Sequence, residues 1–303
     1  MKILLFGALG QVGFELQRAL VGLGQVIPCQ RSQLDLEDLD KLENYIRKIN
    51  PTIIINAAAY TLVDKAEANI TLAEKINALA PEVMAKVARD LDALLVHYST
   101  DYVFNGAQTK PYLESDIPAP LNVYGKTKLQ GEDLIRKTNC RHLILRTSWV
   151  YAAHGHNFAR TILNLALQQG SLTIVGDQIG APTSAELIAD ITALLLYRLQ
   201  WDAAFKDFQG DTFNLTAQGS TSWYGFARHL IMYAKPIGAV LKVTPDKITA
   251  ISTAQYPTPA KRPHNSLLDT GKIRAKFNLE LPSWQWHADR FLSQHYISKG
   301  QTV

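Results

Sequence analysis

The sequence predicts an α/β protein organised on a parallel, doubly wound sheet. Short aliphatic runs alternate at least five times with stretches of helical period, starting at residue 2. That alternation leaves parallel strands joined by right-handed helical crossovers as the simplest arrangement. A turn spaced Gly7-x-x-Gly10-x-x-Gly13 separates the first run from the first helical stretch. Three later runs end in Ala57–Ala59, Ser99–Asp101 and Thr147–Trp149. In such a sheet these four segments share the C-terminal edge, where open α/β sheets bind ligands.

Bulk composition fits this class. Of 303 residues, 47% are hydrophobic and 19% charged, a soluble globular balance rather than a disordered one. The length suits one large domain or two fused lobes. The net charge of +4 is spread without a Lys/Arg block, which argues against a nucleic-acid partner and suits a small anionic substrate. Cys29 and Cys140 are the two cysteines, and they read as reduced thiols of a cytoplasmic protein rather than a disulfide frame. No stretch reaches ~18 uninterrupted apolar residues, and the first apolar run is too short for a signal peptide. Neither a membrane span nor export is expected.

Lys2–Phe6 reads as a buried strand ended by glycine, and Phe14, Leu16, Ala19, Leu20 and Leu23 recur with helical period up to Gly24. Between them, Gly7 and Gly10 let the backbone approach a pyrophosphate, and the helix N-terminus points its free N–H groups there. Gly13 allows close helix–strand packing. The second strand spans 25–30. About 20 residues past the glycines, an NAD site carries an Asp or Glu for the ribose 2′-hydroxyl. Arg31 and Ser32 stand there instead. A cation and a hydroxyl suit a 2′-phosphate, unless Arg31 is simply a solvated loop residue. Asp35 either caps a helix over 36–50 or lies near the adenine.

A β-branched strand follows over 52–59, whose closing Ala57, Ala58 and Ala59 either leave room for a flat cofactor or pack closely. An amphipathic helix is expected over 72–92. The fourth strand, 94–98, contains His97, which reads as a packing residue, and ends near Thr100, which reads as ligand-facing. A helix over 124–137 precedes the fifth strand at 142–146. A helix at 156–170, a strand at Leu172–Val175, a helix at 184–199 and a strand at 212–215 continue the alternation. Prolines then punctuate the C-terminal third, as loops that shape a pocket would. The expected division is a dinucleotide-binding part over 1–150, rejoined by elements near 176–230, with a smaller substrate-binding lobe over most of 151–303.

Tyr124 and Lys128 lie i, i+4 on the 124–137 helix and so share a face. A free phenol holds its proton up to pH ~10. A nearby ammonium favours the phenolate, and the pair can then pass a proton to or from a carbonyl or alkoxide oxygen. The spacing says little alone; the four segments meeting at one sheet edge give it context.

LLFGALGQVG at 4–13, INAAAYTLVDKAE at 55–67, VHYSTDYVF at 96–104 and PLNVYGKTKLQGE at 120–132 together resemble the extended short-chain dehydrogenase/reductase superfamily, whose fold is of the Rossmann type. RTSWVYA at 146–152, DQIGAPTSAEL at 177–187 and YPTPAKRPHNSLL at 256–268 narrow the likeness to its reductases of 4-keto nucleotide sugars, over nearly the whole chain. The resemblance implies NADPH, with NADH as an alternative, along Gly7, Gly10, Gln11, Val12, Gly13, Arg31, Asp35, Leu36, Ala57, Ala58 and Ala59. It implies that Tyr124 protonates the keto oxygen of a dTDP-linked sugar as hydride reaches the carbon. Lys128 would hold the nicotinamide ribose and keep that proton mobile, and Thr100 would bond the same oxygen.

Trp149 would offer the sugar an apolar face, while Tyr102, Val103, Asn157, Arg262 and Asn265 would line the sugar and its diphosphate. The planar fork of Arg262 suits a diphosphate. Sibling dehydratases carry a Glu where Tyr102 stands, and a reductase needs no such second acid–base group. Some members form a dimer around Mg²⁺ held by three glutamates. Glu15 and Glu186 match two of those positions, but Gln294 falls near the third, and losing a carboxylate weakens a hard-cation site. A metal is therefore not expected, and monomer and homodimer both stay open. So do two other functions: a non-catalytic NADP-binding regulatory subunit, against which an intact Thr100, Tyr124 and Lys128 argue, and a reductase or epimerase of another nucleotide sugar.

Overall fold

Six short aliphatic segments pair as one parallel sheet in the computed structural model, which describes residues 1–297. They are β1 (Lys2–Phe6), β2 (Gln25–Cys29), β3 (Ile53–Asn56), β4 (Leu94–Thr100), β5 (His142–Thr147) and β6 (Gly210–Asn214). Their order is β6-β5-β4-β3-β1-β2, and every pairing is parallel. Strand order reverses at β1, so the crevice between the ends of β1 and β3 is the switch point of the sheet. β3 and β4 are buried along their whole length. Helices cover both faces, which is why these strands read as unbroken apolar runs rather than alternating ones.

Alternate residues of each strand feed two cores. Leu4, Phe6, Ile54, Leu95 and Ile144 pack with Leu42 and Ile46 of helix Leu39–Ile49 and with Met84 and Val87 of helix Ala80–Asp90. Ile3, Leu5, Ile55, Val96 and Leu145 pack with Leu16 of helix Gln11–Leu20 and with Ile188 and Leu195 of helix Ala185–Trp201. Helix Ala185–Trp201 and β6 thus come from the second half of the chain yet complete the main sheet. The remainder forms short strand pairs, Leu172–Val175 with Ile248–Ile251, Val150–Tyr151 with Thr183–Ser184, and Ile179–Gly180 with Thr221–Ser222. The first of these pairs packs with helices Phe158–Gln168 and Trp223–Ala234 around a small separate core of Ile162, Leu172, Ala227, Ile231 and Ile248. The last six residues of the lobe expected over 151–303 lie outside the described residues.

Three elements differ from expectation near the sheet edge. The helix expected over 36–50 is Leu39–Ile49, because Asp38 rather than Asp35 caps it, accepting from the Lys41 N–H at 3.1 Å. β3 ends at Asn56, and 57–59 leave the sheet. The helix expected over 72–92 is two α segments, Ile70–Glu74 and Ala80–Asp90, joined by a π turn at Lys75–Leu79. Asn77 in that turn is buried; its side chain bonds both the N–H and the carbonyl of Tyr60 and also the Thr127 hydroxyl. Inserted turns of this kind recur beside functional sites.

Candidate active site

The turn after β1 is shaped by backbone. Gly7 has φ +76°, and the Gly10 N–H closes on the Gly7 carbonyl at 2.9 Å. A Cβ on Gly13 would collide with that carbonyl. Only glycine lets helix Gln11–Leu20 start this close to β1. Gly7, Gly10, Gln11 and Val12 line a cavity of about 630 Å³ whose wall continues through Ala57, Ala58 and Ala59. A smaller cavity of about 140 Å³ shares Gly7, Ala58 and Ala59 and runs toward β2, where Arg31, Asp35 and Leu36 line it. Arg31 is exposed and bonds Asp35 at 2.9 Å and Glu37 at 3.1 Å, so that corner offers a cation and carboxylates together.

The facing wall is built by helix Val123–Lys137 and the ends of β4 and β5. Asn122 caps the helix, accepting from the Gly125 N–H at 2.8 Å, while its amide donates to the Lys261 carbonyl at 2.8 Å. One buried side chain thus sets both the entry of Tyr124 and the course of the Arg262 loop. A Cβ on Gly125 would collide with the Tyr102 carbonyl, so glycine lets the helix settle onto the turn after β4. There the Thr100 hydroxyl accepts from the Tyr102 N–H at 3.2 Å, donates to Asp101 at 3.0 Å and hydrogen-bonds with the Tyr124 hydroxyl. Burial raises the Asp101 carboxyl to about 6, against bonds from Ser266 and Thr100.

Lys128 lies one turn beyond Tyr124 and lines the same cavity. Its Nζ donates to the Tyr98 carbonyl at 2.6 Å and lies 3.1 Å from His97 Nε2. Burial pushes its pKa down to about 7, against the pull of the Glu132 carboxylate. Burial also raises the Tyr124 phenol above its ordinary range; Thr100 pulls it back only in part, and Asp101 adds to the rise. In this geometry burial, not the neighbouring Lys128, sets the direction of the Tyr124 shift, against the lowering expected. The Lys128 side chain is drawn to β4, and desolvation dominates both groups.

Another turn on, Glu132 is wholly buried and ties the helix to both strands. Arg146 of β5 bonds both its oxygens, at 2.9 and 2.6 Å, and Ser99 of β4 donates at 2.6 Å. Burial opposes its charge, but Arg146 and Ser99 hold the carboxyl below the usual glutamate range. Ser99 and Arg146 immediately precede Thr100 and Thr147, so this anchor fixes the height of Tyr124 over the sheet edge. Neither Glu132 nor His97 was among the expected site residues. The i, i+4, i+8 spacing of Tyr124, Lys128 and Glu132 is a signal for the first; a histidine inside a strand offers none for the second.

On the far side, Trp149 has φ +48°, and its indole stacks on Trp223 with centroids 3.5 Å apart. Trp149 lines the main cavity, and Trp223 lines a neighbouring one of about 390 Å³ with Phe158, Gln178, Tyr256 and Arg262. Arg262 donates to the Tyr102 hydroxyl at 3.3 Å and to Asp64 at 2.8 Å, which places it where the two cavities meet. Three expected sugar contacts are not among the residues lining the two cavities. Val103 is fully buried in a cluster with Phe104, Tyr112 and Leu268. Asn157 caps helix Phe158–Gln168, and its amide bonds Gln11 and the Ala152 carbonyl. The Asn265 amide holds the carbonyls of Gln108 and Lys110. Loop backbone groups claim both asparagines.

The glutamates weighed for Mg²⁺ are neutralised by arginines. Arg290 bonds both oxygens of Glu186 at 2.7 to 2.9 Å, and Arg18 bonds Glu15 at 3.2 Å. Among the described residues no three His, Cys, Asp or Glu side chains are grouped to hold a metal ion. The residues do not fit a hard cation, which needs several free carboxylate oxygens.

Known proteins resemble this chain along its length. The family described as RmlD substrate binding domain matches residues 1–297. The chain is 46% identical over 302 residues to dTDP-4-dehydrorhamnose reductase of Escherichia coli strain K12, covering 98% of this chain and 99% of that one. It is 36% identical over 268 residues to the spore coat polysaccharide biosynthesis protein SpsK of Bacillus subtilis strain 168, covering 88% of each. A crystal structure of a dTDP-4-dehydrorhamnose reductase from Clostridium acetobutylicum superposes with a TM-score of 0.87 at 35% identity, over 100% of both chains. That of Bacillus anthracis, solved in complex with NADP, gives 0.86 at 32% identity, over 97% of this chain and 99% of that one. With the glycine turn, the Thr100–Tyr124–Lys128 wall and these matches along its length, the chain belongs to the dTDP-4-dehydrorhamnose reductase family.

Proposed function

We propose that the chain uses NADPH to reduce the 4-keto group of dTDP-4-dehydro-β-L-rhamnose, giving dTDP-β-L-rhamnose for polysaccharide synthesis in the cytoplasm. The observation that carries this is the meeting of Thr100, Tyr124 and Lys128 in one cavity with the glycine turn and the three alanines. A wall without bulky side chains, beside uncapped helical amides, fits a dinucleotide. NADPH, when bound, supplies the hydride. Gly7, Gly10, Gln11, Val12 and Ala57 to Ala59 would hold it, with Arg31, Asp35 and Leu36 at its adenine end.

The chain's own groups do the rest. Thr100 and Tyr124 offer two hydroxyls to the ketone oxygen. Tyr124, kept protonated by burial, gives up its proton as negative charge gathers there. One well-placed donor in a dry site supports such charge by roughly 3–4 kcal/mol. Lys128, whose proton equilibrium sits near neutrality, offsets the phenolate left behind. Tyr102 supplies no second base, consistent with reduction rather than dehydration. Trp149 offers the sugar a flat face, Arg262 meets the diphosphate at the junction of the cavities, and Trp223 and Tyr256 give the base aromatic surfaces. Every group comes from one chain, so a monomer or a homodimer would serve equally.

Purified protein mixed with dTDP-4-dehydro-L-rhamnose should consume NADPH, and NADH more slowly. NADPH binding without turnover would support the regulatory-subunit reading instead.

A further inference from the structure

Asn56 and His97 are register partners on β3 and β4, both fully buried, and His97 touches Lys128. The Ala58 N–H donates to Asn56 Oδ1 at 3.1 Å. That bond decides which end of the amide faces the imidazole: Nδ2 lies 3.1 Å from His97 Nδ1. An amide nitrogen only donates, so Nδ1 must be the bare acceptor. Burial, with Lys128 nearby, pushes the His97 pKa far below its ordinary range, so the ring is neutral and carries one proton. That proton is on Nε2, 3.1 Å from Lys128 Nζ. An ammonium there would set N–H against N–H. A free amine accepts with its lone pair and still donates to the Tyr98 carbonyl at 2.6 Å. Turning the Asn56 amide over does not rescue the ammonium without a cost, because Nδ2 would then face the Ala58 N–H.

We propose that His97 is a positioning residue for Lys128: held by Asn56, it turns an N–H toward Nζ, so that Lys128 rests against β4 as a neutral amine and takes up its charge on leaving that contact for the cavity. The other groups around Lys128 fit this. On its own helix Glu132 favours the ammonium, but that carboxylate is already bonded by Arg146, Arg136 and Ser99. Beyond the end of β4, Asp101 bonds Thr100 rather than Lys128, and the Tyr124 phenol is neutral. The Tyr98 hydroxyl bonds Thr192, so Tyr98 presents only its carbonyl.

The direct test is the tautomer. Full-length protein labelled with ¹⁵N-histidine, with His97 identified by its loss in His97→Gln, should show Nε2 protonated and Nδ1 bare at neutral pH. The Nδ1–H form in the parent protein would overturn the proposal, whatever the enzymatic activity proves to be. Asn56→Asp reverses the logic. A carboxylate accepts both from the Ala58 N–H and from an Nδ1–H, which leaves Nε2 bare for an ammonium. The kinetic part rests on the reductase reading, in which loss of the Lys128 charge sets the alkaline limb of the kcat/KM profile. Asn56→Asp should flip the tautomer and move that limb upward by about one pH unit or more. A flipped tautomer with an unmoved limb would also overturn it, whereas absence of turnover in the parent protein would count against the reductase reading and leave the tautomer measurement decisive here.

Discussion

The two walls of the main cavity are made in different ways. The wall after β1 and β3 is mostly backbone, and its shape comes from missing atoms: a Cβ on Gly13 would strike the Gly7 carbonyl, and Ala57 to Ala59 carry only methyls. The facing wall is side chains, aimed by other buried side chains that never reach the cavity. Asn122 sets where Tyr124 enters, Glu132 sets its height, and His97 holds Lys128. The first wall tolerates almost no added volume, and the second tolerates almost no lost hydrogen bond. Substitutions that separate shape from chemistry should therefore act differently on the two sides.

The largest effect belongs to the chemical wall. Tyr124→Phe removes one hydroxyl and leaves the ring against Tyr102, with centroids 5.6 Å apart. Turnover should fall about 10²- to 10⁴-fold, while NADPH affinity, measured by fluorescence titration, stays within a few-fold. An undiminished kcat would mean that the proton comes from elsewhere, and the contrast between the walls would fail.

Next comes the support behind that wall. Glu132→Gln keeps the shape but strands the Arg146 guanidinium in a buried site, and breaking one side of a buried pair costs about 3–5 kcal/mol. Urea unfolding reads this. The folded carboxyl is held below the usual range. Its contribution is therefore complete above the ordinary glutamate pKa of ~4.3 and is lost as pH falls through its own lower value. The gap between parent and variant should narrow only in that acid range. A gap unchanged on acidification would show that packing, not charge, carries the anchor.

This division also explains what the sequence made legible. Unbroken aliphatic runs announced β3 and β4, and the glycine spacing announced the turn, because both depend on residue type at one place. The positions of Tyr124 and Lys128 on one face followed from helical period. Their electrostatics did not, since burial of a phenol and an amine under β4 is invisible in a four-residue spacing. The His97 contact depends on the register of two strands joined by a long crossover. Val103, Asn157 and Asn265 were assigned by resemblance, and the fold gives them to a core cluster and to loop carbonyls. Asp38 takes the cap expected of Asp35 because the helix begins three residues later than its apolar pattern.

On the substrate side the effect should be smaller and confined to binding. Arg262→Ala removes the guanidinium between Tyr102 and Asp64. Bonds to charged groups contribute about 1.5–3 kcal/mol, so KM for the nucleotide sugar should rise roughly 10- to 100-fold. KM for NADPH should not change. A matched rise in both would mean that Arg262 holds the two walls together rather than the substrate.

The smallest effect tests the one side chain that gives the backbone wall a chemical preference. Arg31 is exposed, and its partners Asp35 and Glu37 are themselves partly open to water. Exposed pairs of this kind add little to stability, so Arg31→Ala should leave the melting temperature unchanged. If the guanidinium reads a 2′-phosphate, the preference for NADPH over NADH should drop by roughly two- to fivefold, the range expected of a solvated ion pair. NADH turnover should hold or rise, because Asp35 and Glu37 are then free of the cation and their carboxylates suit a ribose 2′-hydroxyl. The ratio of the two kcat/KM values measures this directly. An unchanged ratio would return Arg31 to the status of a solvated loop residue and leave the affinity of that wall to glycine and alanine alone.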